Sequence, residues 1–283
     1  MVMPESNNSL LRTDTAAPQV SIVTPSYNQG RFIERTLRSV LDQSGVDVQY
    51  IVVDGTSRDA TVDVLERYRD RLAELVIEPD DGQADALRKG FRLATADICG
   101  YLNSDDYLLP GTLRTVLEYF EQHPDVDAIY TDRIFVDQED RLTGYWRLPP
   151  HSDYVMCRWD FIPQETCFWR RAVMEELGGI DPGYQFAVDY DLFARMMKNG
   201  KRFVHLPGFF AVFREHSESK TSSQLEAVGL QEMERVREKY GFVVKRYHMP
   251  IAAFYYGLVR ARSIVYEWRN PDGPDVFRSY GNS

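Results

Sequence analysis

The 283-residue sequence predicts an α/β fold built on a mostly parallel sheet, and three observations carry that prediction. Short β-type runs alternate with amphipathic helical patterns four times in about a hundred residues. One of these runs, Tyr50-Ile51-Val52-Val53, is apolar throughout, as a strand covered on both faces must be. Polar residues follow directly on three of the runs, at 25–28, 54–59 and 103–106, the last two with carboxylates, at the strand ends where such sheets bind ligands.

The elements follow in order. Val20-Ser21-Ile22-Val23-Thr24 forms the first strand and Pro25 ends it. Phe32, Thr36, Leu37, Val40 and Leu41 share one helical face. The strand Tyr50 to Val53 is closed by Asp54-Gly55. Val64, Leu65, Tyr68 and Leu72 then mark a second helix, with Asp59 or Ser57 as its N-cap. Leu75-Val76-Ile77 is a strand, Ala84 to Leu93 a helix and Ile98 to Leu102 a strand. Pro110 opens a fourth helix through Leu113, Val116, Leu117 and Phe120. The second half is less regular. Ala128-Ile129-Tyr130 and Arg202-Phe203-Val204-His205 have strand character, and Asp191 to Lys198 and Leu225 to Lys239 have helical character. The stretch from Trp146 to Phe168, rich in proline and aromatics, is expected to be loop-dominated and near the site.

Composition excludes several classes. With 43 acidic against 33 basic residues the net charge is −10, which argues against a general nucleic-acid binder. Three cysteines, none in CxxC spacing, give neither a disulfide framework nor a zinc site, and they suit a reducing cytoplasm. Residues 1–17 are polar, lack the apolar core of a signal peptide and are expected to be a flexible arm. No uninterrupted apolar run of about 18 residues predicts a spanning helix. No phosphate-binding P-loop, no dinucleotide fingerprint after the first strand and no nucleophile elbow occurs. The tail, residues 241–283, is expected to be a helical extension. Its first thirty residues carry Lys245, Arg246, Arg260, Arg262 and Arg269 against Glu267, among Ile251, Phe254, Tyr255, Leu258, Val259, Tyr266 and Trp268. Such a helix suits an anionic membrane surface, or the protein's own core or another subunit.

Four clusters could carry chemistry. In Asp54-Gly55-Thr56-Ser57-Arg58-Asp59 a strand-end aspartate can accept a hydrogen bond from a base or ribose; a glycine turn with an N-cap is the other reading. In Leu102-Asn103-Ser104-Asp105-Asp106, two carboxylates follow a buried strand, a costly placement unless they are paired, hydrated or bound to Mg²⁺ or Mn²⁺; a polar turn that caps the next helix is the other reading. Asp189 and Asp191 flank a helix start, where mutual repulsion raises one pKa and suits a general base, or where they simply complement the helix dipole. His216 lies in a polar run after an aromatic segment and is a candidate ligand.

The order of the motifs is more telling than any one of them. Val23-Thr24-Pro25-Ser26-Tyr27-Asn28 is followed by Val52-Val53-Asp54-Gly55-Thr56-Ser57-Arg58-Asp59, by Asp81-Gly82-Gln83-Ala84-Asp85 and by Leu102 to Asp106. Then come Ile162-Pro163-Gln164-Glu165, Leu177-Gly178-Gly179-Ile180-Asp181, Val188-Asp189-Tyr190-Asp191 and Phe213-Arg214-Glu215-His216. The series resembles family 2 inverting glycosyltransferases of the GT-A fold, of the bacterial type that builds O-antigen and other surface polysaccharides. It spans residues 18–240.

The resemblance implies a single Rossmann-like sheet flanked by helices, with a nucleotide-binding half (18–110) and an acceptor-binding half (111–240). It implies a nucleotide-diphosphate sugar donor, a UDP-sugar by its uracil-binding carboxylate, and a glycan or lipid-linked acceptor. The enzyme would be cytoplasmic, and a lipid-linked acceptor at the inner face of the membrane would suit both the resemblance and the membrane reading of the basic tail. Pro25 and Tyr27 would line the base and ribose pocket, and Asp54 would accept the uracil N3 hydrogen. Gly82 and Arg88 would close over the nucleotide, and Asn103 and Ser104 would meet the donor. Asp105, with His216, would hold a divalent metal, Mn²⁺ or Mg²⁺, and Asp189 would be the catalytic base. Gln164, Glu165, Gly179 and Asp191 would lie near the sugar or acceptor. Four positions depart from the family pattern: Asn103 replaces the first carboxylate of the DXD motif, Gly55 a second Asp, Val188 a Glu and Arg88 an Asn. A nucleotidyltransferase-like protein, a hydrolase of the donor sugar and a catalytically silent nucleotide-sugar-binding module are the alternatives.

Overall fold

The computed structural model describes residues 17–217, 219, 225–245 and 248–270. Almost all of the expected N-terminal arm, and the end of the tail, lie outside these residues.

Strands β1 (Val20–Ser26), β2 (Val48–Asp54), β3 (Glu74–Ile77) and β4 (Ile98–Tyr101) pair in parallel in the order β3-β2-β1-β4. Helices α1 (Ile33–Leu41), α2 (Thr61–Tyr68) and α3 (Gln83–Leu93) connect them. The side chains alternate with period two, as a sheet covered on both faces requires. Tyr50 and Val52 pack with Ile33, Leu37 and Leu65 on one face, while Ile51 and Val53 pack with Leu87 and Phe91 on the other. Helix α3 comes so close to β1 that a Cβ on Gly90 would stand 2.4 Å from Val23 Cγ1. The registers Ser26↔Asp54 and Asp54↔Ile77 bring the carboxyl ends of β1, β2 and β3 to one edge, where the chain leaves into Tyr27, Gly55 and Glu78.

Pro25 does not end β1; the strand runs on to Ser26. The Val23 carbonyl accepts Leu102 N–H on the β4 side, and the Ser26 carbonyl accepts Gly55 N–H on the β2 side. Pro25, two residues beyond Val23, therefore turns its missing N–H toward the β4 side, past the last pair of that ladder at Val23↔Tyr101. The helix expected to run to Leu72 stops at Tyr68, and a 3₁₀ turn over Arg69–Arg71 follows. The N-cap is Ala60, not Asp59 or Ser57, and it has no side chain to cap with; Asp59, one position earlier, accepts the Thr61 N–H at 3.0 Å.

The sheet continues as β4-β8-β6-β9-β5, nine strands among the described residues once β7 is added beside β6. These are β5 (Tyr107–Leu108), β6 (Ala128–Val136), β7 (Leu142–Trp146), β8 (Phe168–Arg170) and β9 (Phe203–Arg214). Strands β6 and β9 are parallel; β5, β7 and β8 pair antiparallel with their neighbours. Both long strands outrun the sequence expectation. In β9 the Pro207-Gly208 pair reads as a turn but is absorbed by a register shift opposite Thr131 and Asp132.

Helix α4 (Thr112–Gln122) covers the first face, and α6 (Arg171–Glu176) and α7 (Val188–Lys198) flank the second half. Between Trp146 and Phe168 regular structure amounts to α5 (Asp153–Met156), capped by Ser152, and a 3₁₀ turn at Gln164–Thr166, so this stretch is the loop expected. The helix expected over Leu225 to Lys239 begins as a π-helical turn and becomes α8 only at Leu230, ending at Tyr240. Helix α9 (Met249–Arg269) crosses β7. Among the described residues no helix is long and apolar enough to cross a membrane.

Candidate active site

A cleft of about 680 Å³ opens along the carboxyl edge of β1–β4. Pro25, Ser26 and Tyr27 line it from β1, Gly55 and Thr56 from β2, Asp80 to Gln83 from the β3–α3 turn, and Asn103, Ser104 and Asp105 from the turn after β4. Tyr184, Gln185, Phe213 and Ser219 close it from the second half. Asn28 and Thr56 hold left-handed backbone at the ends of β1 and β2, with φ of 53° and 64°. For a β-branched threonine that is a strained conformation, kept here at the cleft wall. Asn28 N–H donates to Ser57 Oγ and Asn28 Oδ1 accepts Arg58 N–H, at 2.7 and 2.9 Å, which locks the two turns together. Gly82 enters α3 at φ 101° with open space where a Cβ would stand, so backbone forms the rim there.

At the other end of the cleft, Asp105 and His216, 111 residues apart, face each other with His216 Nε2 2.9 Å from Asp105 Oδ2. The His216 ring packs tilted against Phe32, with ring centres 4.8 Å apart. The turn is pinned by backbone: Thr36 Oγ1 donates to the carbonyls of Ser104 and Asp106, and Arg214 Nε donates to the carbonyl of Asp105. One carboxylate and one imidazole nitrogen at a cleft mouth fit a hard divalent cation that takes its other ligands from a diphosphate and water. Asp106 is different: it is fully buried, accepts Arg214 N–H at 2.9 Å, and its carboxyl is pushed well up by burial and by the charges of Asp105 and Glu165.

Asn103 explains its own departure from the family pattern. Its Oδ1 accepts Gln83 Nε2–H at 2.6 Å while its Nδ2 donates to Gln164 Oε1 at 3.2 Å. A carboxylate could not donate the second bond, and it would add a charge beside Asp106 and Glu165. Gln164 in turn donates to the Tyr101 carbonyl at 2.6 Å.

Asp189 opens α7, four residues beyond the cleft-lining Gln185. Its carboxyl is pushed up to about 6, chiefly by burial, with the Glu165 charge adding and the Tyr190 N–H and Arg133 opposing. The loop before it is clamped: Glu232, from α8, accepts the backbone N–H groups of Gln185, Phe186 and Ala187 at 2.7–3.0 Å.

Several expected site residues stand elsewhere. Asp54 is fully buried, and both its oxygens accept from Ser57, its N–H and Oγ, at 2.7 Å, so its carboxylate does not line the cleft. Arg88 pairs with Asp85 one turn back at 2.7 Å and is not part of the wall. Glu165 is held bidentate by Arg133 at 2.6 Å on both arms, a buried ion pair under the site. Gly179, with Gly178, stops α6: both have positive φ, and the Gly179 N–H bonds to the Met174 carbonyl. Asp191 binds Arg195, Lys239 and Tyr240, each at 2.9 Å, and so fastens α8 to α7. Asp191→Ala should therefore cost about 1–3 kcal/mol of stability, because it removes three hydrogen bonds from a fully buried carboxylate, two of them to cations. Denaturant unfolding measures this, and a loss under about 1 kcal/mol would contradict the structural role.

Two acids escaped the sequence reading. Asp80 lies in the cleft, and its Oδ2 is 2.7 Å from where a Gly55 Cβ would be; the space left by the glycine is used by this carboxylate. Burial pushes its pKa up. Its signal was present, a carboxylate pair just past a strand end. Asp160 has a buried Oδ1 without a hydrogen-bond partner, and its carboxyl is pushed well up by burial and by Asp189. Only the fold brings it to α7.

Comparison with known proteins fits this geometry. The family model described as Glycosyl transferase family 2 matches residues 21–178, just over half of the chain. A PGL/p-HBAD biosynthesis glycosyltransferase of Mycobacterium bovis is 29% identical over 188 residues, which are 65% of this chain and 72% of that protein. An uncharacterized glycosyltransferase of Nostoc, alr2836, is 27% identical over 58% of this chain and 54% of its own length, so the chain spans about half of that relative. Among solved structures, S. aureus TarS 1-349 in complex with UDP-GlcNAc aligns with a TM-score of 0.66 at 18% identity, over 84% of this chain and 71% of that one. The mannosyltransferase PcManGT from Pyrobaculum calidifontis, in complex with GDP-Man and Mn²⁺, aligns with a TM-score of 0.61 at 19% identity, over 94% and 84%. At these identities the likeness is one of fold.

Proposed function

The chain belongs to glycosyl transferase family 2 and has the GT-A fold, and from that premise we propose a metal-dependent, inverting transferase. It moves a sugar from a nucleotide-diphosphate sugar, a UDP-sugar, to a hydroxyl of a glycan or lipid-linked acceptor in surface-polysaccharide synthesis such as that of O-antigen. Residues 18–110 serve the nucleotide and 111–240 the acceptor. The observation that carries the reading is the meeting of Asp105 and His216 at the mouth of the cleft, with the raised carboxyl of Asp189 beyond the Gln185 wall.

The uridine lies against Pro25, Tyr27 and Thr56. With Asp54 sealed by Ser57, the carboxylate at the base end is Asp80, which accepts the N3 hydrogen of uracil. A divalent cation, Mn²⁺ or Mg²⁺, held by Asp105 and His216 would neutralise the diphosphate as it departs. Asn103 and Ser104 face the donor, and Gln164 braces Asn103 from beneath. Asp189 takes the proton of the acceptor hydroxyl while that oxygen bonds to the anomeric carbon. The bond from that carbon to the diphosphate breaks, its electrons leave with the nucleotide, and the anomeric configuration inverts.

A thermal-shift panel of UDP, dTDP, GDP, ADP and CDP, each with Mn²⁺, Mg²⁺ or chelator, tests the donor reading. UDP at a hundred times its Kd with Mn²⁺ should stabilise by about 2.7 kcal/mol. For a chain of this length that raises Tm by roughly 4–5 °C. Chelator should reduce the shift, and CDP should give less than UDP, because neutral cytosine has no N3 hydrogen. A response to GDP alone would reassign the base, and a response to none would favour a silent module.

A further inference from the structure

Helix α9 is packed on one side only. Tyr255, Val259 and Ser263 face the protein, with the Tyr255 ring 4.7 Å from Phe161 and Ser263 Oγ accepting Arg147 N–H at 3.0 Å. One flank of the exposed side is apolar and bare. Ile251, Phe254, Leu258, Val265 and Trp268 are exposed, Phe254 at 68% and Trp268 at 81%. With Ala261 these positions recur at spacings of 3, 4, 3, 4 and 3, which draws them into one stripe. The stripe is about 25 Å long.

Arginines border it. Arg262 and Arg269 are exposed along one edge of it, while Arg260 is exposed on another face of the helix. Arg262 and Arg269, together with Arg147, Ala261, Val265 and Tyr266, line a depression of about 360 Å³ against the stripe. Arg147 is anchored there by Asp132 at 2.6 Å and lies over the Tyr266 ring at 4.8 Å. Between residues 241 and 270 there are five basic residues and one acid, Glu267, in a chain of net charge −10.

The geometry points to α9 as the surface that docks the protein on an anionic lipid bilayer. The stripe enters the boundary between head groups and acyl chains, and Arg262 and Arg269 meet lipid phosphates, one of which the depression receives. A second copy of α9 is a poorer occupant. In a helix pair built on this stripe, Arg262 and Arg269 flank one edge and Gly257 and Ile264 the other, so the arginines find no acidic partner and repel their own copies. Anionic lipid supplies the charge that a twin helix lacks. The surface goes beyond the transfer reaction proposed above and does not depend on it.

Cosedimentation of the full chain with vesicles tests this, using phosphatidylcholine alone or mixed with phosphatidylglycerol. The protein should bind the mixed vesicles, bind phosphatidylcholine weakly, and lose affinity as salt rises. The double variants R262E/R269E and F254S/W268S should each weaken binding more than about tenfold. All four side chains are exposed, so circular dichroism and Tm should match the wild type. The proposal is overturned if the chain ignores anionic vesicles, binds both compositions alike, or binds unchanged in both variants. It is also overturned if sedimentation velocity without lipid shows a dimer that F254S/W268S dissolves, which would give the stripe to a second copy.

Discussion

Asp189→Asn is expected to lower kcat by about 10²–10⁴-fold while the nucleotide-induced thermal shift persists, since the amide keeps the shape of the carboxylate but cannot take a proton. Asp189 is suited to the task by its surroundings. Burial raises its carboxyl from 3.8 to about 6, so it is charged at neutral pH yet a better proton acceptor than an exposed aspartate. The base acts deprotonated, so wild-type kcat/KM should fall as pH drops through about 6. The same shift sets a stability effect of opposite sense. The folded value lies above the unfolded one, so the contribution to folding is complete below 3.8 and is lost as pH rises through about 6. At pH 7 the charged side chain then costs about 1–3 kcal/mol, which asparagine removes. Asp189→Asn should be more stable than the wild type at pH 7 and no more stable at pH 3.5. Steady-state kinetics with denaturant melts at the two pH values check this. Near-normal turnover in the variant would remove Asp189 as the base.

The first half of the sheet was legible because its determinants are local. The apolar run Tyr50 to Val53 and the helical face of Phe32, Thr36, Leu37, Val40 and Leu41 each declare their period within one element, and all of these are buried except Leu41, which is half-buried; Ile33 joins the buried face as well. Strands β5 and β8 have two and three residues, and no period can show in so short a run; they exist because β9, β4 and β6 offer open ladders. The pairing of Asp105 with His216 joins residues 111 positions apart, and only the resemblance to a family foresaw it. Asp189 and Asp191 look alike as acids in the first turn of a helix, but two positions turn a helix by about 200°, onto opposite sides. One meets Arg133 and the charge of Glu165, the other meets Lys239 and Tyr240. The partner thus decides between a candidate base and a structural tie, and α8, from which that partner comes, lies some forty residues further along the chain.

Asp105→Ala should abolish the dependence of nucleotide binding on Mn²⁺ or Mg²⁺ and reduce transfer by about three orders of magnitude. The variant isolates the side chain, because the turn that carries it is held by other atoms. Thr36 Oγ1 binds the carbonyls of Ser104 and Asp106, and Arg214 Nε binds the carbonyl of Asp105, all of which survive the substitution. Charge gives the prediction a second edge. Without a cation, Asp105 faces the diphosphate as a like charge, and in a partly exposed cleft that repulsion is on the order of 1 kcal/mol or more. In chelator the variant should therefore bind UDP at least as tightly as the wild type, whereas with Mn²⁺ it should bind more weakly. His216→Ala should show a smaller metal effect and no gain in chelator, because it leaves the Asp105 carboxylate facing the diphosphate. Titration calorimetry of UDP with and without metal separates the three proteins. A wild-type metal response in Asp105→Ala would take the cation away from this carboxylate. A loss of affinity in chelator equal to the loss in Mn²⁺ would mean that Asp105 shapes the cleft and does not hold a charge in balance.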